Sequence, residues 1–492
     1  MQLHNVINGE LVPVGKGESF TVANPATGEI LTQFSSSTPV AVDAVLTAAS
    51  TAFAKWSSTT VKYRSQILFK FRSLCLEKYR EELVSLIVLE NGKHKTDATA
   101  SFLKGIETLE FALSPTLGSG SLQEVSTGVT CADRRDPVGI LVSICPFNFP
   151  AMVPMWTIPI LLVLGNCVVV KPSEKVPFTV TRLTEIFSEA GLPPGVLSVV
   201  HGGRSVVESL IADIRISGCT FVGSTPVAEL VYAACVSAGK RAICLGGAKN
   251  HLVLLPDADP DQSSTDILNS FAGSAGQRCM AASVLVIVGD AGDAIVDLVV
   301  EKAGSIKPGQ AGVGEIGPLI DQAAVERIGK YVAQSETVFG AKVRLDGRSW
   351  NQRSAGFWFG PTVLEHTNLD DPAITEEIFG PVLSVIRVPT LAAAIARINQ
   401  SPFGNAACIY TRSGPCADTF TKLVNVGMIG VNVGVPVPRE PFSFGGTKRS
   451  KFGIGDITGD GLVEFGTVRR KVTVKWGKPP SDTDFVAKNF TG

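Results

Sequence analysis

The chain has 492 residues, which at roughly 100 to 200 residues per domain predicts two to four domains. Its 44 Lys and Arg against 45 Asp and Glu leave a formal net charge of −1, so no nucleic-acid partner is expected, because phosphate binding needs an excess of basic residues on one face. With 45% hydrophobic and 18% charged residues the chain can bury a large core, which excludes an intrinsically disordered protein.

From about residue 38 to 113 the pattern is helical, with Leu, Ile and Phe at three- and four-residue spacings through Tyr63–Asn91 and a stop at Asn91-Gly92. Short apolar runs follow at Ile140–Cys145, Cys167–Val170, Val196–Val200 and Gly218–Val222, each leading through Pro or Gly into a helical stretch. That alternation predicts parallel strands joined by crossover helices. The apolar stretch Met152–Val170 is long enough to suggest a membrane span, but Pro154, Pro159, Gly165 and Asn166 interrupt it. A buried helix followed by a buried strand is predicted instead, with no membrane partner. A second α/β set begins near His251–Leu255 and continues through Val284–Val288, Val382–Ile386 and Ala407–Tyr410. The fold expected is α/β, two tandem doubly wound domains with the site in the cleft between them. The alternating Val468–Trp476 segment is predicted as a strand that needs a partner, either in an oligomer or at a sheet edge within the subunit.

The ten cysteines, at 75, 131, 145, 167, 219, 235, 244, 279, 408 and 416, form no C-x-x-C pair and lie mostly in apolar runs, as reduced intracellular thiols do. Met1–Glu10 has neither a signal peptide nor an Arg-rich presequence pattern. A cytosolic protein is expected, or a mitochondrial one if a presequence has been removed. The five histidines, at 4, 94, 201, 251 and 366, are too dispersed to predict a metal site. Phosphate-loop, G-x-G-x-x-G, H-E-x-x-H and G-x-S-x-G patterns are absent.

Five motifs remain: Pro146-Phe-Asn-Phe-Pro150, Lys171-Pro-Ser-Glu174, Phe221-Val-Gly-Ser-Thr225, Gly276-Gln-Arg-Cys279 and Glu376-Glu-Ile-Phe-Gly-Pro-Val382. In this order and spacing the chain resembles the aldehyde dehydrogenase superfamily, from Asn8-Gly9 and Asn24-Pro25 to Phe444-Gly445-Gly446. The resemblance implies an NAD-binding domain from 1–117 and 138–247, a catalytic domain at 248–457, and a small β oligomerisation element from 118–137 and 458–492. It implies a homo-oligomer, dimer or tetramer. It makes Cys279 the nucleophile, with Asn148 and the Cys279 backbone N–H as oxyanion donors; such donors contribute about 3 to 4 kcal/mol each. The small residues of Gly273–Ala282 offer access, and Arg278 offers a field that favours thiolate.

The same resemblance implies NAD as cofactor, held by Phe147, Lys171, Ser173, Glu174, Gly223, Ser224, Glu377 and Phe379. A carboxylate at Glu174, on the adenosine ribose, favours NAD over NADP. Gly223-Ser224 opens a helix suited to a pyrophosphate, although Ala228 stands where the family has a further glycine.

Hydrolytic members carry Glu-Leu-Gly-Gly, whose glutamate activates water. Here the stretch reads Ile243-Cys-Leu-Gly-Gly-Ala-Lys-Asn-His251, with Cys244 in place of that carboxylate. Loss of a general base costs water attack about a hundredfold or more, whereas a thiol acceptor needs less help. With Val431-Asn-Val-Gly-Val-Pro-Val-Pro438 and Phe442-Ser-Phe444, the chain resembles the CoA-acylating methylmalonate-semialdehyde dehydrogenase branch. That resemblance implies coenzyme A as co-substrate, release of carbon dioxide, and Arg278 on the substrate carboxylate. The branch's second carboxylate contact, an arginine, is Lys104 in this chain, which keeps the charge but loses the planar fork. The alternative is CoA-independent, NAD(P)-dependent oxidation of another short-chain aldehyde.

Overall fold

The computed structural model describes residues 2–15, 17–114, 117–290, 292–352 and 355–476; residues 477–492 of the expected oligomerisation element lie outside them. Strands such as Cys167–Lys171 are buried at all five positions. Covered on both faces, they read as continuous β-branched runs rather than alternating ones. They belong to an eight-stranded sheet in the spatial order Glu10–Pro13, His4–Ile7, Leu197–Val199, Cys167–Lys171, Ile140–Ile144, Ile216–Val222, Arg241–Leu245, Lys451–Phe452. The five strands from Leu197–Val199 to Arg241–Leu245 run parallel. The chain works outward from Ile140–Ile144 on one side and then returns beside it as Ile216–Val222, so the order reverses between these two neighbours. Beyond their carboxyl ends lies the crevice where doubly wound sheets bind ligands.

A second sheet of seven strands has the order Lys342–Leu345, Thr362–Glu365, Val382–Val388, Ala282–Val288, Asn250–Leu254, Ala406–Tyr410, Met428–Val431. Only its first pair is antiparallel. The two doubly wound units predicted from the alternating pattern are therefore present. The antiparallel edge strand Lys451–Phe452, which joins the first sheet from far along the chain, had no apolar run to announce it.

The helix Met152–Val163 is buried at all 12 positions, too short to span a bilayer, which takes about 20 residues. No helix among the described residues is long and apolar enough to cross a membrane. Its last-turn carbonyls are satisfied from outside: Arg64 Nε donates to Val163 at 2.7 Å and Trp56 Nε1 to Leu162 at 3.2 Å. A second helix, Lys95–Ala112, packs against it where Gly105 leaves room, since a Cβ there would lie 3.1 Å from Met155 Cβ. This close approach sets the position of Asp97, Lys104 and Glu107 on one wall of the candidate site.

The C-terminal strand Thr467–Lys475 pairs over its nine residues with Val129–Pro137 of its own chain, and Ser121–Ser126 completes a three-stranded sheet. Arg469 pairs with Asp133 and Arg470 with Asp136, each at 2.8 Å. Of the two partners expected for this segment, the structure supplies the one within the subunit. Ser121–Ser126 is exposed at every position.

Gly105→Val tests the helix contact. Overpacking of this kind costs about 1–3 kcal/mol, so the urea midpoint is expected to fall with an unchanged slope; an unaltered midpoint would show that the two helices do not meet closely there.

Candidate active site

Cys279 follows a turn that no propensity favours. After the helix Pro260–Ala272, Ser274 and Ala275 both adopt left-handed backbone, with φ of 52° and 54°, a conformation that costs of order 1–3 kcal/mol per non-glycine residue and survives only when its surroundings impose it. They do. Asp97 Oδ2 accepts from the Ser274 N–H at 2.9 Å, and Gln277 Oε1 accepts from the Ile320 N–H at 3.0 Å. Gly276, also left-handed at φ 69°, lies so close to the Gly380 carbonyl that no Cβ would fit. The Cys279 carbonyl accepts from Asn250 Nδ2 at 2.8 Å and Asn405 Nδ2 at 2.9 Å. The nucleophile candidate is thus fixed through its backbone, and its side chain is left to a cavity of about 520 Å³.

Asn148, buried beyond the carboxyl end of Ile140–Ile144, donates one amide hydrogen to the Gln277 carbonyl at 3.0 Å. That bond crosses from the first sheet to the cysteine loop and leaves a second N–H on the same nitrogen.

The cavity does not favour thiolate. Burial pushes the Cys279 thiol up to about 12, and the nearby Glu377 carboxylate adds to the shift. Arg278, expected to counter this, acts more weakly, because its guanidinium pairs with Asp97 at 2.8 Å and donates to Ser274 Oγ at 3.1 Å. Lys104, the other expected cation, also lines the cavity but pairs with Glu440 at 2.9 Å and Glu107 at 3.0 Å.

The expected cofactor residues converge on the carboxyl ends of the first sheet. Lys171 is buried, with Nζ donating to the Gly202 carbonyl at 3.0 Å and lying 3.3 Å from Glu174. Ser173 Oγ accepts from the Lys175 N–H at 3.3 Å. The Lys175 ammonium, which competes electrostatically with the preference for an unphosphorylated ribose, pairs with Asp321 of the second unit. Gly223 and Ser224 precede the 13-residue helix Thr225–Ser237, whose first N–H groups have no side-chain cap. Glu377 Oε1 accepts from the Ala248 N–H at 2.8 Å, and Gly247 approaches the same carboxylate so closely that a Cβ would collide. Burial pushes Glu377 up to about 7. Phe379, left-handed at φ 54°, meets Phe147 edge-on at 5.8 Å between ring centres.

Cys244 is fully buried in Arg241–Leu245, between Ile216–Val222 and Lys451–Phe452. Its thiol is pushed up by burial and offers no base. Sequence reasoning missed Asp97, Asn250, Gln277 and Asn405. Asn250 had a signal, a polar residue opening an apolar strand, and the parallel register carries it to Ala406, whose N–H it accepts at 3.0 Å. Also missed was Lys249, whose buried Nζ has no hydrogen-bond partner among the described residues and which lies near Glu377.

Comparison with known proteins gives the family of the chain. The profile of the aldehyde dehydrogenase family matches residues 13–471. The chain belongs to that family. It is 43% identical to malonate-semialdehyde dehydrogenase 1 of Geobacillus thermodenitrificans, across 96% of this chain and 99% of the relative. Among solved structures, methylmalonate-semialdehyde dehydrogenase from Oceanimonas doudoroffii superposes with a TM-score of 0.94 at 39% identity, covering 97% of this chain and 99% of that one. A Sinorhizobium meliloti protein complexed with NAD does so with a TM-score of 0.94 at 36% identity, covering 98% and 99%. The chain is an aldehyde dehydrogenase whose relatives include enzymes of malonate and methylmalonate semialdehyde.

The raised thiol has a direct consequence. In the protein without ligands, alkylation of Cys279 by iodoacetamide, followed by peptide mapping, is expected to accelerate about tenfold per pH unit from 7 to 9.5 without levelling, since only the thiolate reacts. A plateau below pH 8 would show a preformed thiolate.

Proposed function

We propose that this protein oxidises malonate or methylmalonate semialdehyde with NAD and transfers the acyl group to coenzyme A, giving acetyl-CoA or propionyl-CoA and carbon dioxide. The observation that carries the acceptor assignment is the buried Cys244, in the place where a hydrolytic enzyme keeps its water-activating carboxylate. The names of the relatives support the substrate, and the neighbour complexed with NAD supports the cofactor.

The residues at the crevice fit a dinucleotide. The uncapped N-terminus of Thr225–Ser237 suits a pyrophosphate, Lys171 and Glu174 suit ribose hydroxyls, and Glu377 and Phe379 would hold the nicotinamide end. When bound there, NAD supplies the acceptor for the aldehyde hydride. Cys279 loses its proton and adds to the aldehyde carbon. The free N–H of Asn148 and the Cys279 N–H hold the oxyanion, and collapse of the adduct leaves an acyl thioester on Sγ. The coenzyme A thiol displaces that acyl group, and Cys279 regains a proton. When the substrate carboxylate leaves as carbon dioxide, the electron pair of the broken C–C bond stays on the α-carbon, conjugated with the thioester carbonyl, and takes up a proton to give the acetyl or propionyl group.

The three-stranded sheet is assigned to contacts between copies of the chain. Ser121–Ser126 presents an unpaired edge with Leu122 and Val125 exposed, a natural template for a second chain.

Steady-state NADH formation is expected to depend on coenzyme A. Omitting it should reduce turnover about a hundredfold or more, the scale of a missing general base, with acyl-CoA as product when it is restored. Undiminished turnover without coenzyme A, with a free acid as product, would establish the hydrolytic alternative.

A further inference from the structure

The segment 246–250 leads from the strand Arg241–Leu245 of the first sheet to Asn250–Leu254 of the second, and it is anchored along its length. The Gly247 N–H donates to the Thr225 hydroxyl, the Ala248 N–H to Glu377 Oε1 and Asn250 Nδ2 to the Cys279 carbonyl, each at 2.8 Å. Five residues thus touch the first turn of the cofactor helix, the glutamate expected at the nicotinamide end and the nucleophile loop. Lys249 stands between the last two contacts. It is 3% exposed, and its Nζ has no hydrogen-bond partner among the described residues. An ammonium buried in this way is costly unless a negative charge nearby compensates it.

Of the charged and titratable groups around Lys249, one is left to supply that charge. Asp371 is committed elsewhere: Oδ1 accepts from the Ala373 N–H at 2.8 Å and the Ser335 hydroxyl at 3.1 Å, and Oδ2 lies 3.0 Å from His366 Nδ1. Glu376 is exposed and accepts from the Tyr331 hydroxyl. Burial pushes His251 and His366 toward their neutral forms. Arg327, the other cation near Glu377, is exposed and donates to the Ile378 carbonyl. Glu377 remains, bonded through Oε1 to the residue next to Lys249. Burial brings Lys249 down to about 7 and Glu377 up to about 7, so near neutral pH the charge of each depends on the other.

We propose that Lys249 is a positioning residue that acts through Glu377, its buried ammonium keeping that carboxylate ionised and so able to accept hydrogen bonds from the nicotinamide ribose hydroxyls of NAD. The inference rests on the reading of Glu377 as a contact of the nicotinamide end. An ionised carboxylate accepts at both oxygens, whereas a protonated one turns one of them into a donor. Removing the ammonium raises Glu377 further, so the carboxyl is mostly neutral at pH 7 and recovers its charge only at higher pH.

The test is the dissociation constant of NAD, measured by titration calorimetry at pH values from about 5.5 to 9. All proteins carry Cys279→Ala, because that thiol also senses Glu377. In this parent, affinity is expected to be constant above about pH 8 and to fall below pH 7. In Lys249→Met the fall is expected to begin about one pH unit higher, leaving NAD binding about three- to tenfold weaker at pH 7 and equal to the parent at pH 9. Glu377→Gln is expected to weaken binding across the range, and adding Lys249→Met to it should change nothing more. A Lys249→Met profile that superposes on the parent, or one lowered by the same factor at every pH, would overturn the proposal. So would a parent profile that is flat across the range, a result that needs no substitution at Lys249. Binding that Glu377→Gln leaves unchanged would sink the placing of Glu377 at the cofactor together with the inference. Weakening by Glu377→Gln but not by Lys249→Met would sink the inference alone.

Discussion

The chemistry depends on how the backbone around Cys279 is held. Its carbonyl accepts from Asn250 and Asn405, which belong to adjacent parallel strands of the second sheet, while the preceding residues are tied to Asp97 and Asn148 on elements packed around the first. A cysteine anchored from both sides cannot drift, and each amide or carboxylate that anchors it repays part of the cost of two left-handed residues in the turn. The same bonds tie the Asn148 amide to the carbonyl of Gln277, two residues before the thiol. On the proposed mechanism, positioning of the cysteine and stabilisation of the oxyanion come from one set of interactions, whose removal would loosen both.

Charge in the cavity is arranged as local pairs. Asp97 answers Arg278, and Glu107 and Glu440 answer Lys104. These pairs keep the helix Lys95–Ala112 in register with the cysteine loop and with the segment before Phe444. Burial dominates the rest: it holds Cys279 as a neutral thiol and raises Glu377 to about 7, so that near pH 7 this carboxyl is divided between its charged and neutral forms. A protonated thiol in the absence of ligands is consistent with a nucleophile protected from oxidation until the site fills, since oxidants attack the thiolate.

The strands of both sheets were legible because each buried strand is a continuous apolar run with a turn behind it, as at Cys167–Lys171 and Ala406–Tyr410. The interrupted stretch after Met152 was legible as helix and strand for the same reason. The cysteine, the amide at Asn148 and the missing carboxylate at Cys244 could be picked out only as members of a motif set, since each alone is an ordinary turn or core residue. What could not be read were partners distant in the chain. Asp97 is 177 residues from the Ser274 it binds, and Glu440 is 336 from Lys104. No local pattern reports such a pairing, so the carboxylates that answer Arg278 and Lys104 could not be read from the sequence. The edge strand Lys451–Phe452, two residues long, was hidden by its brevity.

The central claim is a covalent acyl intermediate on Cys279 that waits for a thiol. Intact-mass and peptide mass spectrometry of the protein mixed with NAD and malonate semialdehyde, without coenzyme A, tests it most directly. A stoichiometric acyl adduct on the Cys279 peptide, discharged on addition of coenzyme A, is the predicted result. No adduct, or one on another cysteine, would contradict the account.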